Sequence, residues 1–201
     1  MRLHRFTALI LIVLLIPAAA HAVTERELGI AAQGGYQILT GKAAEYMDGG
    51  GCFGINISYG LTRWFGFTGD AVYGIHAQSD SDETGEIDFT LLTMLFGPRF
   101  TLELGPVYPY ADLLVGGAIW RYEVKYEMVD GEEFKDDDQR SRAALGATAG
   151  FDVSLSDNFQ LGLAGRYIYL IDGFDLPNAD EDLQDEPLST IQLLLRASLV
   201  F

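Results

Sequence analysis

The chain ends with LLLRASLVF (residues 193–201), and this stretch decides which fold the sequence encodes. Its side chains alternate between two faces, which is the pattern of a β-strand whose two sides meet different surroundings. One face is apolar throughout, whereas the other carries Arg196 and Ser198. Arg196 therefore does not interrupt an apolar run, because it belongs to the opposite face of the same strand.

Similar alternation recurs along the rest of the chain. In one segment Phe53, Ile55 and Ile57 share a side, while the residues between them are small or polar. Period-two alternation of this kind predicts half-buried strands and an all-β fold. We expect eight strands, at residues 27–38, 51–60, 65–76, 87–100, 107–126, 142–155, 159–171 and 188–201.

The N-terminus has the three-part form of a secretory signal. Arg2 and Arg5 precede an apolar run, and Ala20-His21-Ala22 supplies small residues in a cleavage-site pattern. The run is shorter than the roughly 20 apolar residues that a membrane anchor needs. We therefore predict a cleaved signal peptide at residues 1–22 and a single domain at residues 23–201. The single cysteine, Cys52, cannot form a disulfide within the chain.

Charge separates the two ends of the predicted sheet. The formal net charge is −16 with only 13 Lys and Arg residues, which argues against binding nucleic acid. Short and long connections alternate strictly along the chain, and the longer ones carry almost all of the net charge. They span residues 39–50, 76–86, 127–141 and 172–187. In an up-and-down antiparallel sheet, this places every long acidic loop at one end and the short turns and both termini at the other.

Aromatic residues concentrate near both ends of the predicted strands, as in the girdles of barrels that cross a bilayer. The cleavable signal, the eight alternating strands, the one-sided long loops and terminal Phe201 together resemble the small eight-stranded outer-membrane barrels, the group of the OmpA membrane domain and OmpX. The resemblance implies an eight-stranded antiparallel up-and-down transmembrane β-barrel with short periplasmic turns and longer extracellular loops. It also implies that Phe201 is the assembly signal recognised by the outer-membrane insertion machinery.

A barrel of eight strands has an interior only wide enough to be filled by side chains. The predicted lumen faces carry three cations and three carboxylates that could neutralise one another; Gln33, Gln37, Asn56, Thr148 and Gln192 would extend this network, and Gly29, Gly54, Gly146 and Gly162 would make room for it. A structural polar plug is the expected role, and a gated proton or ion path is the alternative. The six charged residues are Asp70, Arg99, Asp112, Asp152, Arg166 and Arg196.

The fifth strand has a less regular pattern than the others. The apolar residues move from one face of the strand to the other between Ala118 and Trp120, which is compatible with a β-bulge near Gly116 or Gly117. The direction of the Trp120 side chain is left open by the sequence.

Catalytic and metal-binding patterns are weak, and we expect no catalytic site and no cofactor. His76 is the only histidine after residue 22, and we expect it to be a solvated loop residue near Ser79 and Ser81. The acidic runs Asp136, Asp137, Asp138 and Asp180, Glu181, Asp182 do not match an EF-hand loop. Loose binding of divalent cations is the alternative to a merely solvated surface.

The sequence therefore predicts a monomeric, non-enzymatic protein of the bacterial outer membrane. Its expected role is structural, or interaction at the cell surface through the acidic extracellular loops. A narrow channel for small solutes and a lipid A-modifying enzyme are the alternatives. The expected partners are outer-membrane lipid, lipopolysaccharide and, during assembly, the insertion machinery.

Overall fold

Eight antiparallel β-strands, each hydrogen-bonded to the next, close into a barrel in this computed structural model. The structure describes residues 27–40, 49–77, 87–127, 133–171 and 188–201. The strands are β1 (Leu28–Thr40), β2 (Gly50–Gly60), β3 (Phe65–Ala77), β4 (Ile87–Thr101), β5 (Val107–Glu127), β6 (Glu133–Ser156), β7 (Phe159–Leu170) and β8 (Ser189–Val200). Within these ranges, no helix has the length and apolar character needed to cross a bilayer.

The barrel is closed by pairing between the first and last strands. β1 and β8 run antiparallel from the pair Gly29 and Val200 to the pair Thr40 and Ser189. Beyond the strand end, the backbone N–H groups of Leu28 and Phe201 each donate to the other residue's carbonyl oxygen, at 3.1 and 3.0 Å. Closure gives the edges of β1 and β8 hydrogen-bonding partners, which hydrocarbon could not supply.

The wall has its apolar face on the outside. In β8, the Leu195 side chain is 68% exposed whereas its neighbour Arg196 is 5% exposed. Each of the remaining seven strands, β1 to β7, also has exposed large apolar side chains. A water-soluble barrel has the opposite arrangement, so this outer surface suits contact with hydrocarbon. The eight-stranded antiparallel barrel predicted from the sequence is confirmed.

The sixth strand is longer than predicted. It begins at Glu133 instead of residue 142, and residues 133–141 pair with the end of β5 up to Glu127. The prediction that residues 127–141 form a loop is therefore wrong for most of that range, and Asp136, Asp137 and Asp138 lie in a strand. Apart from Phe134, the sequence of residues 133–141 is entirely polar or charged, so it lacks the period-two hydrophobic pattern by which strands are recognised.

The fifth strand contains no bulge near Gly116 or Gly117. Its register is unshifted against both β4 and β6 throughout the pairs described. Ala118 and Trp120 are both buried and both point inward. The pattern was misleading because we expected a polar lumen, whereas Ala118 and Trp120 belong to a buried apolar cluster. The Arg142 guanidinium lies over the Trp120 ring, with Cζ 5.8 Å from the ring centroid. Among the described strand pairs, a register shift lies between Ser154 and Ser156, where β6 pairs with β7 next to the short turn.

The outward face of β8 tests where hydrocarbon contacts the wall. Leu195 lies centrally in the strand, and Leu199 lies on the same face near its end. We predict that Leu195→Lys lowers the free energy of unfolding by about 2–4 kcal/mol, and Leu199→Lys by about 0–1 kcal/mol, because a cation is costliest at the bilayer midplane. Urea titration in lipid vesicles measures both. Equal losses in the two variants would contradict this placement.

Candidate functional site in the barrel lumen

Among the described residues, the barrel lumen contains six buried charged side chains, one from each of the strands β3 to β8. None is more than 8% exposed. They reach the interior because alternate residues of each strand point inward. These are the six predicted from the sequence, namely Asp70, Arg99, Asp112, Asp152, Arg166 and Arg196. Each arginine contacts one aspartate, and together they form two networks at different heights in the barrel.

The central network is built on Arg166. Its Nη1 and Nη2 atoms donate to the two carboxylate oxygens of Asp70, at 3.1 and 2.5 Å. Its Nε atom donates to the Thr148 hydroxyl at 3.0 Å, and Nη1 also reaches Gln192 Oε1 at 3.4 Å. Gln192 in turn donates to Gln37 Oε1 at 3.2 Å. Bidentate geometry and these polar neighbours compensate the cost of burying both charges.

The turn-side network lies nearer the short turns and is organised around Tyr110. Arg99 donates from Nε and Nη2 to the two oxygens of Asp112, at 2.8 and 2.9 Å. The Tyr110 ring lies between two guanidinium groups, with its centroid 4.2 Å from Arg99 Cζ and 4.8 Å from Arg196 Cζ. Gly150 permits this position, since a Cβ there would lie 2.7 Å from the Tyr110 hydroxyl oxygen.

Arg196 connects the remaining groups of the turn-side network. Its Nη1 atom donates to the Tyr110 hydroxyl and lies 3.5 Å from Asp152 Oδ2, while Nη2 donates to Asn56 Oδ1 at 2.9 Å. Gly162 faces Asp152, and a Cβ at Gly162 would overlap the carboxylate. Because its nitrogen-to-oxygen distance is 3.5 Å, the pair formed by Arg196 and Asp152 is looser than the two bidentate pairs.

Tyr110 was absent from the residues expected in the lumen. The expected network contained only charged, amide and hydroxyl-bearing threonine side chains, together with glycines. The parity of β5 would have identified Tyr110, because it lies two residues before Asp112 and so faces the same side of the strand. Thr68, buried and hydrogen-bonded to Asn56 Nδ2 at 2.8 Å, was missed in the same way.

The loop-side part of the lumen is filled by apolar side chains, which we call the apolar plug. All its members are 0–2% exposed. They are Leu39, Phe89, Leu91, Leu95, Leu114, Ala118, Trp120, Ala144, Ile168, Leu170 and Leu188. The polar plug predicted from the sequence therefore occupies only the central and turn-side parts of the interior.

His76 belongs to this apolar environment. Its side chain is 1% exposed, and its ring centroid lies 5.6 Å from that of Phe89. The prediction of a solvated loop histidine is wrong, because β3 extends to Ala77 and directs His76 inward. Ser79 and Ser81 lie outside the described residues.

A cavity of about 110 Å³, lined by both polar and apolar residues, opens at the turn end of the lumen. Arg99, Arg196, Asp152 and Ser198 line it. Asp152 Oδ1, Arg196 Nε and Ser198 Oγ are buried and make no hydrogen bond to any described residue. A cavity of this size and polarity has room for several water molecules, which could complete the hydrogen bonds of these groups.

The remaining predicted residues lie away from the lumen. Phe201 is 66% exposed beside the turn end of β1. The loop residues Asp180, Glu181 and Asp182 lie outside the described residues, as do residues 1–22. For Asp136 to Asp138 only the backbone is described. In the described part of the chain, no group of three or more His, Cys, Asp or Glu side chains is arranged to hold a metal ion.

Comparison with known proteins gives a consistent match in sequence family and fold. The profile of the outer membrane protein beta-barrel domain matches residues 6–201. Comparison with curated proteins finds no sequence match. Ail, the attachment invasion locus protein of Yersinia pestis, has a similar structure, with a TM-score of 0.59 and 16% identity over 89% of this chain and 100% of Ail.

Two further solved structures resemble the barrel. Neisserial surface protein A (NspA) has a TM-score of 0.56 and 15% identity over 86% of this chain and 96% of its own. OprG of Pseudomonas aeruginosa has a TM-score of 0.53 and 13% identity over 88% of this chain and 97% of its own. At these identities the similarities concern the fold alone.

The pair formed by Asp70 and Arg166 can be tested by charge removal. We predict that Arg166→Leu lowers the free energy of unfolding by about 3–5 kcal/mol, because it leaves a buried carboxylate without its partner. Adding Asp70→Asn to this variant should recover most of the loss. Urea titration measures both. Unchanged stability in Arg166→Leu, or no recovery in the double variant, would contradict the assigned pairing.

Proposed function

The chain belongs to the outer membrane protein β-barrel domain family and lies in the bacterial outer membrane, and we propose that it is a non-enzymatic surface protein whose barrel anchors its acidic extracellular loops. The filled lumen is the observation that carries this proposal. Two networks of buried charges and an apolar plug occupy the interior. The barrel is therefore better suited to supporting the loops than to conducting solutes.

The energetics of the lumen favour a rigid support. Breaking either bidentate ion pair would expose a charge to a region of low polarity, which typically costs several kcal/mol. A solute crossing the barrel would have to displace both networks and then the apolar side chains around Trp120. A rigid wall of this kind leaves the rim loops as the natural place for recognition.

A narrow channel for small solutes is the second candidate function. The cavity beside Arg99 and Arg196 supports it, because polar space already extends from the turn end into the lumen. The apolar plug argues against it, since Phe89, Leu91 and Trp120 are almost completely buried above the central network.

Conductance measurements distinguish these two functions. We predict that the refolded protein shows little or no conductance in planar bilayers. Trp120→Ala removes the largest side chain of the plug and should raise conductance, whereas Trp64→Ala, at an exposed position in the turn between β2 and β3, should not. Regular single-channel steps in the unsubstituted protein would contradict the closed-barrel proposal.

A lipid A-modifying activity is less well supported. Nucleophilic catalysis requires a base within hydrogen-bond reach of the nucleophile and oriented by a third group. His76, the only histidine after residue 22, is packed against Phe89 inside the lumen. We therefore propose that the protein leaves lipid A unmodified. Mass spectrometry of lipid A from cells with and without the protein tests this, and a reproducible mass change would favour an enzyme.

Lipopolysaccharide is the proposed partner of the loops, and divalent cations are the proposed link. The acidic loops would stand among lipid phosphates of the same sign, and such charges repel over a Debye length of roughly 8 Å at physiological salt. Ca²⁺ or Mg²⁺ can bind carboxylate and phosphate oxygens together. During assembly, Phe201 would bind the insertion machinery, and the mature protein would remain monomeric.

The cation link gives a prediction for the last long loop. We expect Ca²⁺ to strengthen association of the refolded protein with lipopolysaccharide, and Asn at Asp180, Asp182 and Asp185 together to weaken that effect. Asp157→Asn, in the short turn between β6 and β7, is the matched control and should change nothing. Calorimetry in lipopolysaccharide-containing bilayers measures the binding. The proposal fails if the affinity is the same in Ca²⁺ and in chelator.

A further inference from the structure

The cavity of about 110 Å³ at the turn end of the lumen has polar groups that the protein itself leaves without partners. Ser198 is 4% exposed, and its Oγ atom makes no hydrogen bond to any described residue. The same holds for Arg196 Nε and Asp152 Oδ1. Buried polar groups normally have partners, so we expect an occupant that supplies both hydrogen-bond donors and acceptors.

The wall of the cavity combines hydrogen-bonding side chains with apolar surface. Ser198 lies between Gln160 of β7 and Ala31 of β1 in one row of paired residues. Tyr108 lies beside Asp152 in the pairing of β5 with β6. All five residues line the cavity. Such a wall suits a molecule with hydroxyl groups on a carbon frame, because Ala31 and the Tyr108 ring contact carbon atoms while their neighbours bind the hydroxyls.

The cavity is small and ends inside the barrel. Its volume lies below the roughly 300–1,000 Å³ of typical ligand pockets, so its occupant must be small. The described residues that line it include Arg99, Tyr110 and Arg196 of the turn-side network, but neither Arg166 nor Asp70 of the central network. The cavity is therefore a closed-ended site and does not by itself form a passage through the lumen.

Formal charges around the cavity are balanced. In the described part of the chain, three cationic and three anionic side chains line it or pair with a residue that does; they are Arg63, Arg99, Arg196, Glu27, Asp112 and Asp152. Arg99 binds both oxygens of Asp112, and Arg196 contacts Asp152. An ionic ligand would add an uncompensated charge to a region of low polarity, which is costly. The charge balance therefore favours a neutral occupant.

We propose that this cavity binds a small neutral polyol, a molecule of about the size of glycerol, from the periplasm. The short turns of outer-membrane barrels face the periplasm, so solutes on that side reach the opening. A hydroxyl group both donates and accepts, so one hydroxyl donates to Asp152 Oδ1 and accepts from Arg196 Nε, and another binds Ser198 Oγ. The site lies at the opposite end of the barrel from the acidic loops and needs no divalent cation.

Water is the competing occupant of the cavity. Several separate water molecules would have to be immobilised to reach the polar groups of β6, β7 and β8, and each loses entropy. A polyol carries its hydroxyls on one frame, so fewer independent molecules are ordered. Its carbon atoms also gain dispersion contacts with Ala31 and the Tyr108 ring.

Two substitutions address the site. Gly60→Leu fills the cavity, because Gly60 lines it and a Cβ there would lie 3.8 Å from its nearest neighbour, Thr62 O. Gly51→Leu is the matched control on the same strand, since Gly51 is exposed and a Cβ there meets nothing within 4 Å. Ser198→Ala removes a hydroxyl that makes no hydrogen bond to a described residue, so the two charge networks keep their contacts.

Saturation-transfer NMR with glycerol as the probe measures binding to the refolded protein in a detergent that has no sugar headgroup. We expect saturable binding in about the millimolar range. The affinity should fall about tenfold or more in Gly60→Leu and roughly threefold to tenfold in Ser198→Ala, and stay the same in Gly51→Leu. Glycerate, an anion, and aminopropanediol, a cation, should bind about tenfold more weakly than glycerol. Heat-modified mobility on gels confirms that each variant is folded.

Three results would overturn the proposal. A glycerol signal that rises with concentration and never saturates would show that the cavity contains only water. Equal glycerol affinity in folded Gly60→Leu and in the unsubstituted protein would place the binding elsewhere. Tighter binding of glycerate or of aminopropanediol than of glycerol would show that the site is ionic, against the charge balance of its lining.

Discussion

Every backbone N–H and C=O group in the wall of this protein needs a partner within the wall, and this requirement governs the rest of the structure. Hydrocarbon supplies no hydrogen bonds, so the sheet must join its first strand to its last. The pairing of β1 with β8 meets that requirement along twelve residue pairs. Once the sheet is closed, alternate side chains along each strand face lipid or the narrow interior. The side chains that face lipid are mainly apolar, whereas many of those that face the interior are polar or charged.

The interior is where closure has its largest energetic consequence. Eight strands enclose too little space for a hydrated channel, so charged side chains that point inward must be compensated by one another. Arg166 and Asp70 do this with bidentate geometry, and Arg99 and Asp112 do the same. Arg196 is held more loosely, beside a cavity at the turn end. The apolar plug then completes the filling on the loop side.

A filled interior moves the interactions of the protein to its outer surfaces. The extracellular loops carry most of the charge, and the wall carries the apolar area that contacts lipid. The loops are the surface proposed to meet lipopolysaccharide, through cations bound between their carboxylates and lipid phosphates. Because this contact requires divalent cations, chelation would remove it.

The sequence by itself determined the eight strands, the division of each strand into two faces and the six charged side chains that share the less apolar face. Each of these depends on parity within one strand, and parity is a local property that a sequence displays directly. Arg196 illustrates this, because Leu195 and Leu199 on one face of the strand already assign Arg196 to the other face.

Only the tertiary structure decided which charges meet and where the lumen changes from polar to apolar. Asp70 and Arg166 are 96 residues apart in the chain, and only barrel closure and register bring them together. The direction of Trp120 was left open because an apolar interior removes the contrast between faces on which parity is read. His76 was misjudged because it was assigned to a loop, although β3 continues through it to Ala77. The start of β6 was misjudged for the converse reason, since a strand that is polar on both faces gives no alternation at all.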